Sequence, residues 1–156
     1  MKTVHLPPGG GLHILRILLI LICMPLAASA QTALQTSHIE ANVPPADAFH
    51  TFLQRDLLAF FKEERNLAAT RVELTLLRNV PTQSGVAFPK YYLWVTAFAG
   101  TELVAEGAVR VAAIERQSFE VLQYMSKAEV KESPAEVGRI FPAPLVPRIL
   151  ALAHGQ

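Results

Sequence analysis

Asp56 and His50 are the residues whose types and positions could support acid–base chemistry in this chain. Phenylalanine and leucine recur at intervals of three and four over residues 49–61, which predicts a helix with one broad apolar face. Asp56 lies about two helical turns after Phe49, so its carboxylate falls within that face, and His50 falls near its edge. A carboxylate on the buried side of a helix is unfavourable unless it is paired or lines a wet cavity.

Two interpretations of Asp56 remain open. If it lines a cavity, it is a candidate general base, assisted by His50 or by a tyrosine hydroxyl. Otherwise we expect the Asp56 carboxylate to form an ion pair with an arginine of the sheet, such as Arg71 or Arg110, or to be exposed to solvent at the edge of the helix. The first interpretation predicts an enzyme, and the second predicts a structural residue.

An aromatic cluster forms the second group of candidate site residues. Phe88 lies near the end of a proline-containing loop over residues 79–90, and Tyr91 and Tyr92 begin a predicted strand. Aromatic side chains supply a large contact area and often anchor interfaces. We expect Phe88, Tyr91 and Tyr92 to contact a ligand or a partner, and Trp94 to lie in the core.

The sequence offers little support for other chemistries. It contains no G-x-S-x-G nucleophile motif and no glycine-rich phosphate loop. Its histidines are not spaced as metal ligands, and His38 and His154 lie near predicted mobile ends. We therefore expect no metal and no cofactor, and a binding domain is a simpler interpretation than an enzyme.

The first thirty residues have the composition of an export signal. Lys2 and Arg16 give a basic start without acidic residues, an apolar run covers residues 17–24, and small residues at 28–30 fit a cleavage site. Cleavage there also removes Cys23, the only cysteine. The alternative, a retained membrane anchor, requires about 20 apolar residues, and this run is shorter.

The predicted mature chain is an exported protein without cysteine. Exported eukaryotic domains of this size often carry disulfides, so we expect the bacterial periplasm or a secreted protein. Loss of Lys2 and Arg16 changes the net charge from +1 to −1. The remaining basic residues are spread singly, whereas nucleic-acid-binding surfaces cluster them. We expect a protein partner or a small apolar ligand, no nucleic acid, and no membrane span after cleavage.

Periodicity predicts a single domain over residues 44–156, preceded by a flexible leader over residues 31–43. A long helix should begin at Pro45 and end near Asn66. Alternation of apolar and polar residues then predicts four strands, at residues 70–76, 91–99, 103–115 and 119–130. Gly107 is a candidate bulge in the third strand.

Both faces of the second predicted strand are apolar, which predicts a central strand covered on both sides. Further along, residues 133–136 read Ser-Pro-Ala-Glu, a capping-box pattern for a short helix that ends near Phe141. A second short helix is expected over residues 145–153. If these helices leave the second sheet face bare, that face should form a homodimer interface.

A long helix followed by a four-stranded meander resembles the cystatin-like arrangement that cystatins and NTF2-like domains share. The resemblance covers residues 44–130 and rests on the order of the elements. Cystatins insert a Q-x-V-x-G hairpin into proteases, whereas residues 83–87 read Gln-Ser-Gly-Val-Ala, so no inhibitor residues are implied. The NTF2-like arrangement implies a cone-shaped pocket that Asp56 and His50 would face.

The expected fold is α+β, with a long N-terminal helix packed on a roughly four-stranded antiparallel meander and one or two short C-terminal helices. The expected function is non-enzymatic binding outside the cytosol, through a sheet face or the loop over residues 79–90. The alternative is an NTF2-like enzyme with a cone-shaped pocket and Asp56 as general base.

Overall fold

The computed structural model describes residue 36 and residues 38–155. The predicted export signal, residues 1–30, and the first part of the predicted leader lie outside the described residues. From residue 38 onward the described chain belongs to one compact unit. Within these residues, no helix combines the length and the apolar character needed to cross a membrane.

The long helix forms where the apolar periodicity predicts it. Helix α1 covers Ala46–Ala59 and continues as a π-helical turn over Phe60–Glu64. Asp47 places a negative charge in the first turn, where it interacts favourably with the helix dipole. Just beyond the helix, Asn66 adopts a left-handed backbone with a φ of 52°, which asparagine tolerates better than most residues. The predicted helix and its end are confirmed.

Four strands of the described chain form one antiparallel sheet in the order β1-β2-β3-β4. The strands are Arg71–Leu76 (β1), Lys90–Ala99 (β2), Glu102–Ile114 (β3) and Ser118–Ser126 (β4). Each strand lies beside the next one in sequence, which makes the sheet a meander. With helices before and after this sheet, the predicted α+β fold is confirmed.

Strand β2 separates two hydrophobic layers. Leu93 and Val95 lie in a core with α1, whereas Tyr92 and Trp94 lie in a second core with the C-terminal helices. All four side chains are at most 6% exposed. The central position predicted for this strand is therefore confirmed. Helices of the same chain cover the second face of the sheet. The homodimer interface was expected for this face if it were left bare.

Strand β4 ends earlier than the alternation predicts, because Ser126 caps a short helix, α2, over Lys127–Glu132. The Ser126 side chain accepts a hydrogen bond from the Glu129 N–H, and the Glu129 carboxylate accepts one from the Ser126 N–H at 2.7 Å. This capping box satisfies N–H groups that a helix start otherwise leaves without partners. The Ser126 hydroxyl also donates to the Glu129 carboxylate at 2.7 Å, and this bond together with the one from the Ser126 N–H lowers the pKa of the Glu129 carboxyl. The predicted strand over residues 119–130 is thus wrong beyond residue 126.

Helix α3 covers Pro134–Ile140 and begins with proline at its first turn, as predicted. The capping box expected for Ser133 does not form: the Ser133 side chain makes no capping hydrogen bond, and the Glu136 N–H bonds to the Ser133 carbonyl instead. The chain then forms a 3₁₀ turn and a last helix, at Ala143–Leu145 and Val146–His154 (α4).

Gly107 does not mark the bulge that the sequence suggests. It pairs in register with Val95 of β2 and with Ser126 of β4, and the register shifts of the sheet lie at other positions. A Cβ atom at position 107 would overlap the carbonyl oxygen of Met125. Glycine is therefore required here because β3 and β4 approach each other closely.

The end of the predicted leader is ordered in the described residues. Residues 38–42 are helical, and Asn42 is 6% exposed. The Asn42 carbonyl accepts a hydrogen bond from the Arg116 N–H at 2.9 Å, and its Oδ1 accepts one from the Glu115 N–H at 3.3 Å. Both donors lie in the β3–β4 turn and have positive φ angles. These contacts join the last residues of the leader predicted over residues 31–43 to the β3–β4 turn.

Candidate functional site

Asp56 lies where α1 packs beside β4, and its carboxylate accepts three hydrogen bonds. Nε and Nη2 of Arg55 donate to it at 2.7 and 3.1 Å, and the Phe119 N–H donates at 2.7 Å. The ion-pair partner is thus the preceding residue of the helix and not Arg71 or Arg110. These contacts tie α1 to the start of β4.

His50 and Asp56 are not brought together as an acid–base pair: the described contacts include no hydrogen bond between them. His50 is exposed, and its ring packs edge-on against Phe49 with the centroids 5.6 Å apart. The space between α1 and the sheet, where an NTF2-like domain would have its pocket, is filled by fully buried helix residues, Leu53, Leu57 and Phe61. The contacts of Asp56 favour a structural role, and its role as a base stays a prediction.

Tyr91, one of the three predicted contact residues, lies in the hydrophobic core. It is 5% exposed, and its ring packs edge-on against Phe49 and Phe119 with centroid distances of 4.9 and 6.1 Å. This burial raises the pKa of the phenol. Sequence alone could not separate this outcome from exposure, because Tyr91 stands at the boundary of loop and strand.

Tyr92 and Phe88, the other two predicted contact residues, lie in different surroundings. Tyr92 is 5% exposed, but its hydroxyl lies 2.6 Å from Oγ1 of Thr82 at a polar pocket. Phe88 is 44% exposed and stacks on the ring of His38 with the centroids 6.4 Å apart. Of the three predicted residues, Phe88 is the one that presents its side chain at the surface.

A groove of about 590 Å³ lies beside the N-terminal part of β3, which comes before Gly107. We call it the β3 groove. Its floor and rim are formed by strand residues and by basic side chains, namely Leu103–Glu106, Tyr124, Arg65, Lys127 and Lys131. These residues come from the segment after α1, from two strands and from α2.

Strand β3 extends past the end of β4 at this groove. The β3–β4 ladder starts at the pair Gly107–Ser126, so residues 102–106 have no β4 neighbour in the described chain. An open strand edge presents backbone N–H and C=O groups to which an extended peptide can add. Leu103, on this segment, is 52% exposed.

The charge of the β3 groove is mainly positive. Lys127 Nζ forms an ion pair with Glu106 at 2.9 Å, and Trp94 Nε1 donates to the same carboxylate at 3.1 Å. The Glu106 charge is thus balanced within the protein. Arg65 and Lys131, in contrast, take part in none of the ion pairs found among the described residues. Arg65 lies close enough to the Glu129 carboxylate to help lower its pKa, but the rim keeps a net positive charge that can attract a negatively charged ligand.

Tyr124 is held firmly in the floor of the groove. Its hydroxyl donates to the Glu106 carbonyl at 3.3 Å, and its ring packs edge-on against Phe60 and Phe61. The Arg65 guanidinium lies over the same ring, 5.2 Å from its centroid. Burial raises the pKa of the phenol to about 12.

We expect the Tyr124 phenol to ionise near pH 12, so an alkaline absorbance titration should show a late tyrosinate step that Tyr124→Phe lacks. The unfolded chain loses this proton near pH 10. The contribution of the group to stability is therefore complete below about pH 10 and is lost as the pH rises toward 12. Urea unfolding at about pH 9 and at about pH 11 measures how far the free energy of unfolding falls between these two pH values. This decrease should be smaller for Tyr124→Phe than for the wild type. Equal losses in both proteins would contradict this assignment.

Comparison with protein-family models, with curated protein sequences and with solved structures finds no match for this chain. The likeness to cystatins and NTF2-like domains accordingly rests on the order of the elements. Over residues 38–155, the acidic and histidine side chains form no group of three or more that could hold a metal ion. Function must be inferred from the geometry of the chain itself.

Proposed function

We propose that this protein is an exported, non-enzymatic binding domain that holds an extended, acidic segment of a partner protein in the β3 groove. The observation that carries the proposal is the edge of β3 at residues 102–105, which has no β4 neighbour in the described chain and is flanked by Arg65, Lys127 and Lys131. At the end of this edge, the Glu106 carbonyl is already bonded to the Tyr124 hydroxyl. A peptide strand would hydrogen-bond to that edge, and its carboxylates would face the basic rim.

Charge complementarity determines the chemistry of the proposed partner. Glu106 is already engaged by Lys127 and Trp94, so the groove presents Arg65 and Lys131 to a ligand. The exposed side chain of Leu103 adds an apolar contact. The partner segment is therefore extended and combines at least two carboxylates with an apolar residue.

Export is part of the same proposal and is supported by the sequence of residues 1–30, with its basic start, apolar run and small residues at the cleavage position. Under this proposal the domain meets its partner in the bacterial periplasm or outside the cell. The absence of cysteine from residues 31–156 makes the domain independent of the redox state there.

Peptide binding to the purified, exported form of the protein tests the proposal. We would measure fluorescence anisotropy with a labelled peptide of alternating glutamate and valine, at low salt. Lys131→Glu should weaken binding by about tenfold, because a rim charge contributes up to about 1 kcal/mol and reversal adds repulsion. The matched control is Lys62→Glu, which makes the same charge change at an exposed position outside the groove and should have less than about a twofold effect.

Three results would contradict this function. One is equal binding of a peptide in which lysine replaces glutamate, and another is an equal loss of affinity in Lys62→Glu and Lys131→Glu. The third is a homodimer, seen by sedimentation, that Lys131→Glu dissociates, because a second copy of the chain would then occupy the groove.

The alternative, an NTF2-like enzyme with Asp56 as general base, is not favoured by any specific contact. A general base must be free to accept a proton from its substrate. Asp56 instead receives hydrogen bonds from Arg55 and from the Phe119 N–H. The binding function therefore remains the one proposed.

A further inference from the structure

A second pocket lies on the face of the sheet that carries the C-terminal helices. Its volume is about 280 Å³, and it shares no lining residue with the β3 groove. Its walls come from the loop over residues 79–90, from β2 and β3, and from the segment after α3. Among its lining residues, Lys90 and Arg110 are basic and none is acidic.

Arg110 brings a positive charge to this pocket that is not balanced by a carboxylate. Its Nη1 donates to the Ile140 carbonyl at 3.0 Å, whereas its Nε is buried without a hydrogen-bond partner. None of the ion pairs found in the described part of the chain includes Arg110. The buried Nε leaves the charge of Arg110 incompletely compensated, so an anion in the pocket would interact favourably with the guanidinium and accept hydrogen bonds from its remaining N–H groups.

The other polar groups of the pocket point to the same kind of ligand. Lys90 supplies a second cation, which likewise forms no ion pair among the described residues. The hydroxyls of Thr82 and Tyr92 lie 2.6 Å apart, so one of them donates to the other. The accepting hydroxyl keeps its own proton for a ligand. The pocket thus combines two cations with a hydroxyl donor.

We infer that this pocket binds a small carboxylate. The planar guanidinium of Arg110 matches the two oxygens of a carboxylate, and Lys90 adds a second charge that suits a dicarboxylate. The loop over residues 79–90, which the sequence predicts as a contact region, supplies one wall. The pocket and the β3 groove are built from different residues, so the proposal for each site can be confirmed or contradicted independently of the other.

Isothermal titration calorimetry of the purified protein with succinate tests this inference. We expect saturable binding of one succinate, weaker binding of inorganic phosphate, and no binding of the neutral succinamide. Arg110→Met should reduce the affinity for succinate by about tenfold or more. The matched control is Arg139→Met, since Arg139 is an exposed arginine that pairs with Glu136 outside the pocket, and it should bind like the wild type.

Arg110 is partly buried, so its replacement affects folding as well as binding. Lys90→Met and Thr82→Val therefore test the pocket while Arg110 stays in place, and each should weaken succinate binding several-fold without a large change in melting temperature. Folded wild-type protein that shows no saturable succinate binding would overturn the inference. So would tighter binding of phosphate than of succinate, or an equal loss of affinity in Arg139→Met.

Discussion

Gly107→Ala is expected to lower the free energy of unfolding by about 3 kcal/mol or more. The new Cβ would overlap the Met125 carbonyl oxygen and lie 2.9 Å from the Ser126 Cα, so backbone atoms of β4 would have to move. Gly107 also pairs with Val95 of β2, which leaves β3 little freedom to shift the other way. Both hydrophobic cores contain residues of β3, so this displacement would disturb both of them.

Urea unfolding followed by circular dichroism checks this expectation, with Gly138→Ala as the matched control. Gly138 lies in α3, and a Cβ there would meet no atom within 4 Å. This control should be neutral or more stable by about 0.5–1 kcal/mol, because alanine restricts the unfolded chain and favours the helix. If Gly107→Ala were as stable as the wild type, the close approach of β3 and β4 would be disproved.

Asp56→Ala is expected to destabilise the protein by about 2–3 kcal/mol. The carboxylate, 17% exposed, joins α1 to β4 by accepting the Phe119 N–H at 2.7 Å. Its loss would leave that part-buried N–H without its acceptor. Arg55, which also donates to the Gln117 carbonyl at 2.7 Å, would lose the group that orients it.

The matched control for this prediction is Asp47→Ala, which removes an exposed carboxylate from the first turn of the same helix. Its expected effect is about 0.3–1 kcal/mol, through the helix dipole alone. Asp56→Asn should fall between the two variants, because the amide oxygen can still accept the Phe119 N–H but attracts Arg55 less strongly. Equal unfolding free energies for Asp56→Ala and Asp47→Ala would show that the link between α1 and β4 contributes little.

The elements of the fold were predictable because their periodicities are strong. Apolar residues at intervals of three and four predicted α1, and apolar residues on both faces of β2 predicted that this strand is central. The prediction failed at the end of β4, where the apolar pattern continues through Val130 but Ser126 and Glu129 form a capping box. Side-chain capping depends on three-residue spacing, which an alternating pattern obscures.

The candidate sites were less predictable than the fold. One interpretation of Asp56 paired it with an arginine of the sheet, but its ion-pair partner is Arg55, the preceding residue of the helix. Helical periodicity does not show which neighbouring side chain bends toward the carboxylate. The β3 groove forms because β4 ends at the residue that pairs with Gly107 of β3. Its position therefore depends on the register of the two strands. Arg65, Leu103 and Lys131 lie far apart in the sequence, and no motif connects them.

Amide hydrogen exchange with and without the acidic peptide is the most direct test of the proposed strand addition. We predict slower exchange in the complex at those amides of residues 103–106 that point away from β2, because an added strand would accept hydrogen bonds from these groups. Exchange in β1, the opposite edge of the sheet, should not change. Peptide binding that leaves residues 103–106 unprotected, or that protects β1 instead, would contradict the proposed function.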